Sequence, residues 1–216
     1  MLQIRISFIV RIISIHANFG IGLMTTLRLI LGDQLSLTLA SLKDCDKEHD
    51  VILMAEVKSE TSYVKHHKKK IAFLFAALRH FANELSDSGY QVVYRKYDDL
   101  SNQGSLFDEV RHLCNQVSIN NIVLTHPGEY RVLADMQSWQ QKLNINVEIR
   151  QDDRFLASIE EFANWAQGRQ QLRMEFFYRE MRKAWYFLMD GDNPTGEKWN
   201  FDNSNRKALP KNLVPP

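Results

Sequence analysis

The stretch Leu27–Ser36, LRLILGDQLS, decides how this chain is read. A short apolar, β-prone run halts on Gly32, Asp33 and Gln34, so a carboxylate and an amide stand where a buried strand ends. Gly32 lets a neighbour approach the backbone closely, Asp33 offers an acceptor, and Gln34 offers an amide that both donates and accepts. The same residues equally suit a tight turn in which Asp33 caps a short helix carrying Leu37 and Leu39. The rest of the chain has to separate the two readings.

Similar β-branched runs recur at Val51–Ala55, Gln91–Tyr97, Asn121–Thr125 and Asn146–Arg150, which with Leu27–Leu31 makes five predicted strands. Between the second and third, Ile71, Leu74, Leu78, Phe81 and Leu85 recur every three or four residues, and Gly89 ends the helix they imply. Ser105 and Asp108 open the next helix in capping-box spacing, ahead of Phe107, Val110, Cys114 and Val117. Val132, Met136, Trp139 and Leu143 predict a third. Strands joined by helical crossovers run parallel, and right-handed crossovers cover both faces of the sheet. The expected fold is α/β, a doubly wound five-stranded parallel sheet, followed by helices and an extended linker.

Residues 25–157 are the expected α/β domain. Residues 158–189 are an expected helical segment, with a helix begun by Ser158 and Glu161 and a longer one over Gln170–Met189. Residues 190–216, rich in Asn, Asp, Gly and Pro, are the expected linker. Phe176, Phe177 and Tyr178 are consecutive and cannot all face one core. Residues 1–24 carry Arg5, Arg11 and His16 but no acid; Arg11 interrupts the apolar run that a secretory signal needs. They read as an extension outside the fold or as an amphipathic surface helix.

With 27 basic and 26 acidic residues, the formal net charge of +1 advertises neither nucleic acid nor an anionic membrane as a partner of this chain. Cys45 and Cys114 lie too far apart for a zinc or redox motif, and the lack of a disulfide pattern suits a cytoplasmic location. No metal site is expected. No dinucleotide or nucleoside triphosphate glycine motif, nucleophile elbow or His-Glu-x-x-His pair occurs, so no catalytic residue is assigned. The His66–Lys70 run, HHKKK, reads as a solvated helix start. Four stretches fall at strand ends, where open parallel sheets bind ligands: 32–34, 56–63, 97–99 and 126–129.

LRLILGDQLS, the run from Glu56 to Leu85, HPGEYRV, FANWAQGRQQLRMEFFYREMRK and DGDNPTGEKWNFDNSNRKALP together resemble the deoxyribodipyrimidine photolyase-related family, prokaryotic iron–sulfur (6-4) photolyases and cryptochromes. The resemblance covers Thr26 to Pro210 in order. It implies an amino-terminal antenna domain that holds 6,7-dimethyl-8-ribityllumazine, a linker, and a helical domain with FAD and a four-iron cluster. It further implies light-driven repair of DNA (6-4) photoproducts or blue-light signalling. Transferred position by position, the lumazine site would involve Gly32, Asp33, Gln34, Glu60, Tyr63 and Leu74.

The cluster needs four thiolates and this sequence has two cysteines, so FAD and the cluster are expected only in a helical domain that is missing or separately encoded. DNA would be met only through that domain, and no membrane is expected as a partner. Whether the chain itself is an enzyme is left open. The rival reading is a stand-alone α/β module that uses the same crevice to bind a nucleotide or a partner, without catalysis.

Overall fold

A computed structural model describes residues 24–202; the readings of residues 1–23 and of 203–216 lie outside the described residues. The chain forms two compact units, one ending at Arg154 and the other beginning at Phe155.

The first unit is built on five short strands: β1 (Thr26–Leu29), β2 (Val51–Ala55), β3 (Gln91–Arg95), β4 (Asn121–Thr125) and β5 (Asn146–Arg150). Every pairing is parallel and the order is β3-β2-β1-β4-β5. The chain therefore winds outward from β1 in one direction and, after β3, crosses back to wind in the other.

Alternation along the strands divides the core into two layers. Leu27, Leu29, Val51, Leu53, Ile122 and Leu124 face one way. They pack against α3 (Leu106–Gln116), α4 (Tyr130–Met136) and α5 (Trp139–Leu143), which supply Val110, Leu113, Met136 and Trp139. Ile30, Ile52 and Met54 face the other way, onto Leu78, Phe81, Ala82 and Leu85 of α2 (Lys68–Asp87). Each fully buried large side chain contributes about 1.5–3 kcal/mol, so the doubly wound sheet is held mainly by these layers.

Arg28 shares the α2 face and is 4% exposed. Its guanidinium donates to Asp50 at 2.8 Å and to the carbonyls of Ser41, Lys43 and Asp44 at 2.7, 2.8 and 2.9 Å. Asp50 in turn accepts from the Thr26 and Asp46 amides. A buried charge is tolerable when paired and hydrogen-bonded in this way, and the pair fastens the loop after β1 beneath the sheet.

Expected boundaries move in several places, the first strand spanning Thr26–Leu29 rather than Leu27–Leu31. The predicted third helix is two, because Ser138 donates both its amide and its hydroxyl to the Asp135 carbonyl, tightening the turn between α4 and α5. The third strand stops at Arg95 rather than Tyr97: the Lys96 and Tyr97 amides bond carboxylates of Asp99 and Glu56 instead of a neighbouring strand. A five-residue helix, α1 (Lys58–Ser62), lies where only a strand-end stretch was expected.

In the second unit, α6 (Ile159–Ala166) begins with the expected capping box between Ser158 and Glu161. The longer helix, α7 (Met174–Trp185), is shorter than the 170–189 expected, because Tyr186 takes a left-handed conformation and ends it. Phe177 meets Phe162 and Trp165 with ring centroids 5.2 and 5.0 Å apart, while Phe176 and Tyr178 stay exposed. Within the expected linker, Met189–Asp190 and Asn193–Pro194 pair as a small antiparallel hairpin, β6 and β7.

Candidate functional site

The strand order reverses between β1 and β4, and a cavity of about 240 Å³ opens beyond the carboxyl ends of β1, β2 and β4. This is where open α/β sheets leave room for a ligand, because the two loops at the reversal diverge to opposite faces. Leu31, Gly32 and Asp33 enter it from β1, Val57, Glu60, Thr61 and Tyr63 from the β2 side, and Pro127, Gly128, Glu129 and Val132 from the β4 side. Ile71, Leu74, Phe75 and Leu78 of α2 make an apolar wall.

Two glycines bring these walls together. A Cβ on Gly32 would meet the Leu74 side chain at 3.3 Å, and one on Gly128 would meet an Asp33 carboxylate oxygen at 3.3 Å. Both positions therefore serve close approach rather than unusual backbone angles.

Of the six residues expected at the site, Gly32, Asp33, Glu60, Tyr63 and Leu74 line the cavity. Gln34 is not among the lining residues. Its side chain is buried and already engaged: Nε2 donates to the Thr125 and His126 carbonyls at 3.1 and 3.3 Å, and Oε1 accepts from the Leu31 amide at 3.3 Å. Gln34 thus ties the tip of β1 to the tip of β4 and fixes the spacing of the crevice. Asp33 keeps its carboxylate at the cavity and makes no cap, while Arg154 donates to its carbonyl at 2.9 Å.

The polar rim is a ring of four side chains. Arg131 donates to both oxygens of Glu60 at 3.1 and 2.7 Å and to Glu129 at 3.1 Å, and its guanidinium carbon stands 4.3 Å from the centre of the Tyr63 ring. The Tyr63 hydroxyl donates to Glu129 at 2.9 Å, and that bond holds the phenol proton, raising the Tyr63 pKa. His66 stacks edge-on to Tyr63 at 5.0 Å, and His66 and Lys70 also reach the cavity. His67 does not; its ring nitrogen accepts the Lys69 amide and caps α2.

Beneath the rim, Glu56 is fully buried at the end of β2. Burial by itself would raise its pKa, but the Arg79 fork at 2.5 and 2.8 Å, the Tyr94 hydroxyl at 2.6 Å and the Tyr97 amide at 2.9 Å outweigh it and hold the pKa below the ordinary value. These bonds bind β2, β3 and α2 under the crevice floor. The stretch 97–99 supports this network and is not part of the lining. Burial pushes the Cys45 and Cys114 thiols up to about 11, so neither is a nucleophile at neutral pH.

Sequence reasoning singled out the loop holding Glu129 but missed Arg131, Ile71 and Phe75. The signal for Ile71 and Phe75 was the apolar stripe of α2 itself, which includes Leu74. Arg131 is joined to its partner across 71 positions and left no local sign. A second, wider depression of about 680 Å³ runs along α5 and β5, and its lining from Met136 to Ile149 carries no charged side chain that could orient a ligand.

The chain thus contains an open doubly wound α/β domain with a mixed apolar and acidic cavity at its reversal point, the position where such sheets leave room for a ligand. The family model described as deoxyribodipyrimidine photo-lyase-related protein matches residues 28–216, and the chain belongs to that family. It is 49% identical over 193 residues to a (6-4) photolyase of Agrobacterium fabrum, covering 89% of this chain and 38% of that protein's length. It is also 24% identical over 148 residues to an uncharacterised protein of Acanthamoeba polyphaga mimivirus, covering 67% of this chain and 73% of that one. Among the described residues, no helix is long and apolar enough to cross a membrane.

Proposed function

We propose that this chain is the light-harvesting part of a photolyase-related flavoprotein, and that the crevice holds 6,7-dimethyl-8-ribityllumazine without a covalent bond. The observation that carries this reading is the cavity's division of labour. Leu74 and its neighbours on α2 give a flat ring an apolar wall, and Asp33, Glu60 and Glu129 give acceptors for ring N–H and ribityl O–H donors. At about 240 Å³ the cavity lies below the roughly 300 Å³ at which ligand pockets usually begin, so it would enclose the pigment's bicyclic ring and leave the ribityl chain at the open rim. Three carboxylates set against Lys70 and Arg131 leave the cavity without the cationic surplus that the phosphates of a nucleotide, the rival ligand, call for.

Bound there, the pigment would absorb blue light and pass excitation to a flavin. The flavin and the four-iron cluster belong to a helical domain outside the described residues, on the same polypeptide or another, and DNA is reached through that domain. Light-driven repair of (6-4) photoproducts or blue-light signalling in the cytoplasm is the role of the whole assembly.

The test is equilibrium binding of 6,7-dimethyl-8-ribityllumazine to the purified chain, read by fluorescence, with Gly32→Val as the variant that fills the slot beside Leu74. The wild type should bind, and the variant should bind about tenfold or more weakly, a loss of about 1.4 kcal/mol. Equal binding by the two, or none by the wild type, would remove the pigment from this crevice.

A further inference from the structure

We infer that Arg131 is a positioning residue, a clasp that closes the crevice side to side and sets the places of Glu60 and Tyr63. The inference rests on the chromophore reading only for its ligand arm; the clasp itself is read from the protein alone.

Glu60 and Tyr63 stand on the arm that follows β2, and Glu129 and Arg131 on the arm that follows β4. These strands are not neighbours, because β1 lies between them. No ladder hydrogen bond can therefore tie one arm to the other, and at the tip of β1 the intervening Gly32 has no side chain to do so. The link is the ring of four described above, with Arg131 touching every other member: a fork onto Glu60, a bond to Glu129 and a face contact with Tyr63. An arginine suits this place because its planar fork grips a carboxylate while its face lies on an aromatic ring, which a lysine cannot do together.

Beyond Val57, which is buried at its start, the arm that the clasp holds has little else to fix it. Helix α1 has five residues, no side-chain cap and no buried residue, and so short a helix is not stable by itself. Its other described tie is the Ser59 amide, which donates to the Gly104 carbonyl at 2.9 Å. The Arg131, Glu60 and Glu129 side chains are 44%, 29% and 50% exposed, so water and salt reach the clasp and can loosen it.

Two measurements on the full chain test this. In the first, without ligand, amide hydrogen exchange over residues 58–63 should quicken about tenfold in Arg131→Ala and less in Arg131→Lys, with the strands unchanged. Salt at about 1 M should bring the wild type toward Arg131→Ala and leave that variant unaffected. Unchanged exchange at 58–63, or equal quickening throughout the sheet, would overturn the clasp. In the second, Arg131→Ala should bind 6,7-dimethyl-8-ribityllumazine about tenfold more weakly than wild type, with partial recovery in Arg131→Lys. Affinity within about twofold of wild type would end the positioning role. If the wild type takes no lumazine, the chromophore reading fails while the exchange data still decide the clasp.

Discussion

Arg28 and Arg131 each grip a carboxylate from another element, yet one builds the fold and the other borders a cavity. Arg28 and Asp50 are 4% and 6% exposed and have five backbone groups as further partners, so neither charge can turn to water if its mate is lost. Arg131 and Glu60 are 44% and 29% exposed, and solvent stands ready to replace either partner. The same ion pair is thus permanent where water is excluded and adjustable where it is not. A domain that admits a ligand needs both: an unyielding sheet, and a rim able to open.

The contrast breaks most sharply at Asp50. Asp50→Ala would leave a buried guanidinium without its counter-charge and should cost about 3–5 kcal/mol in urea unfolding. A loss no greater than about 1 kcal/mol, the ordinary value for an exposed pair, would erase the difference between the two sites.

Glu56 sharpens it, being buried while Arg79, one of its partners, is half exposed. Glu56→Gln should lower stability by about 2 kcal/mol, the range for hydrogen bonds to a charged group. The sign of its pH dependence follows from a depressed folded pKa. The stability it confers is fully present above the ordinary glutamate value of 4.5 and is lost as pH falls through the lower folded value. Glu109 acts in the opposite sense: burial raises its pKa, so its contribution is present below 4.5 and is lost as pH rises through the raised folded value. Urea midpoints measured against pH should show a steep acid limb in the wild type and a shallower one in Glu56→Gln. Identical limbs would place the acid sensitivity elsewhere.

The smallest effect belongs to the second unit. Ser158→Ala removes one half of the capping box at the start of α6 and should cost that helix about 1 kcal/mol, seen as faster amide exchange in its first turn.

The strands were readable from sequence because each is a short apolar run between turn residues, but the order that puts the reversal between β1 and β4 was not, since helices between strands make them parallel without fixing which are neighbours. Gly32 and Asp33 were readable at the cavity because they end the central strand. The strand-end stretch 56–63 held Glu60 and Tyr63 and the apolar stripe of α2 held Leu74, but only the family resemblance singled those three out as site residues. Gln34 looked equally open to a ligand, but its amide is taken by carbonyls 91 and 92 positions away, a distance at which local patterns say nothing. The break at Ser138 escaped for a related reason: the apolar spacing runs through it, while a single hydroxyl bond to Asp135 turns the backbone. The buried Arg28 carried a visible hint, a cation inside an apolar run with an acid just ahead of the next.

The position of β1 at the centre of the sheet also bears on how the chain is made. One neighbour, β2, leaves the ribosome soon after it, but the other, β4, follows some 95 positions behind, the separation between Thr25 and Asn120 in the bond beside that pairing. Until then Leu27 and Leu29 belong to an open edge of a half-finished sheet, the kind of surface to which another unfinished chain can add itself. Synthesis slowed between β3 and β4 would prolong that exposure, and a newborn chain halted there is the form most in need of a chaperone.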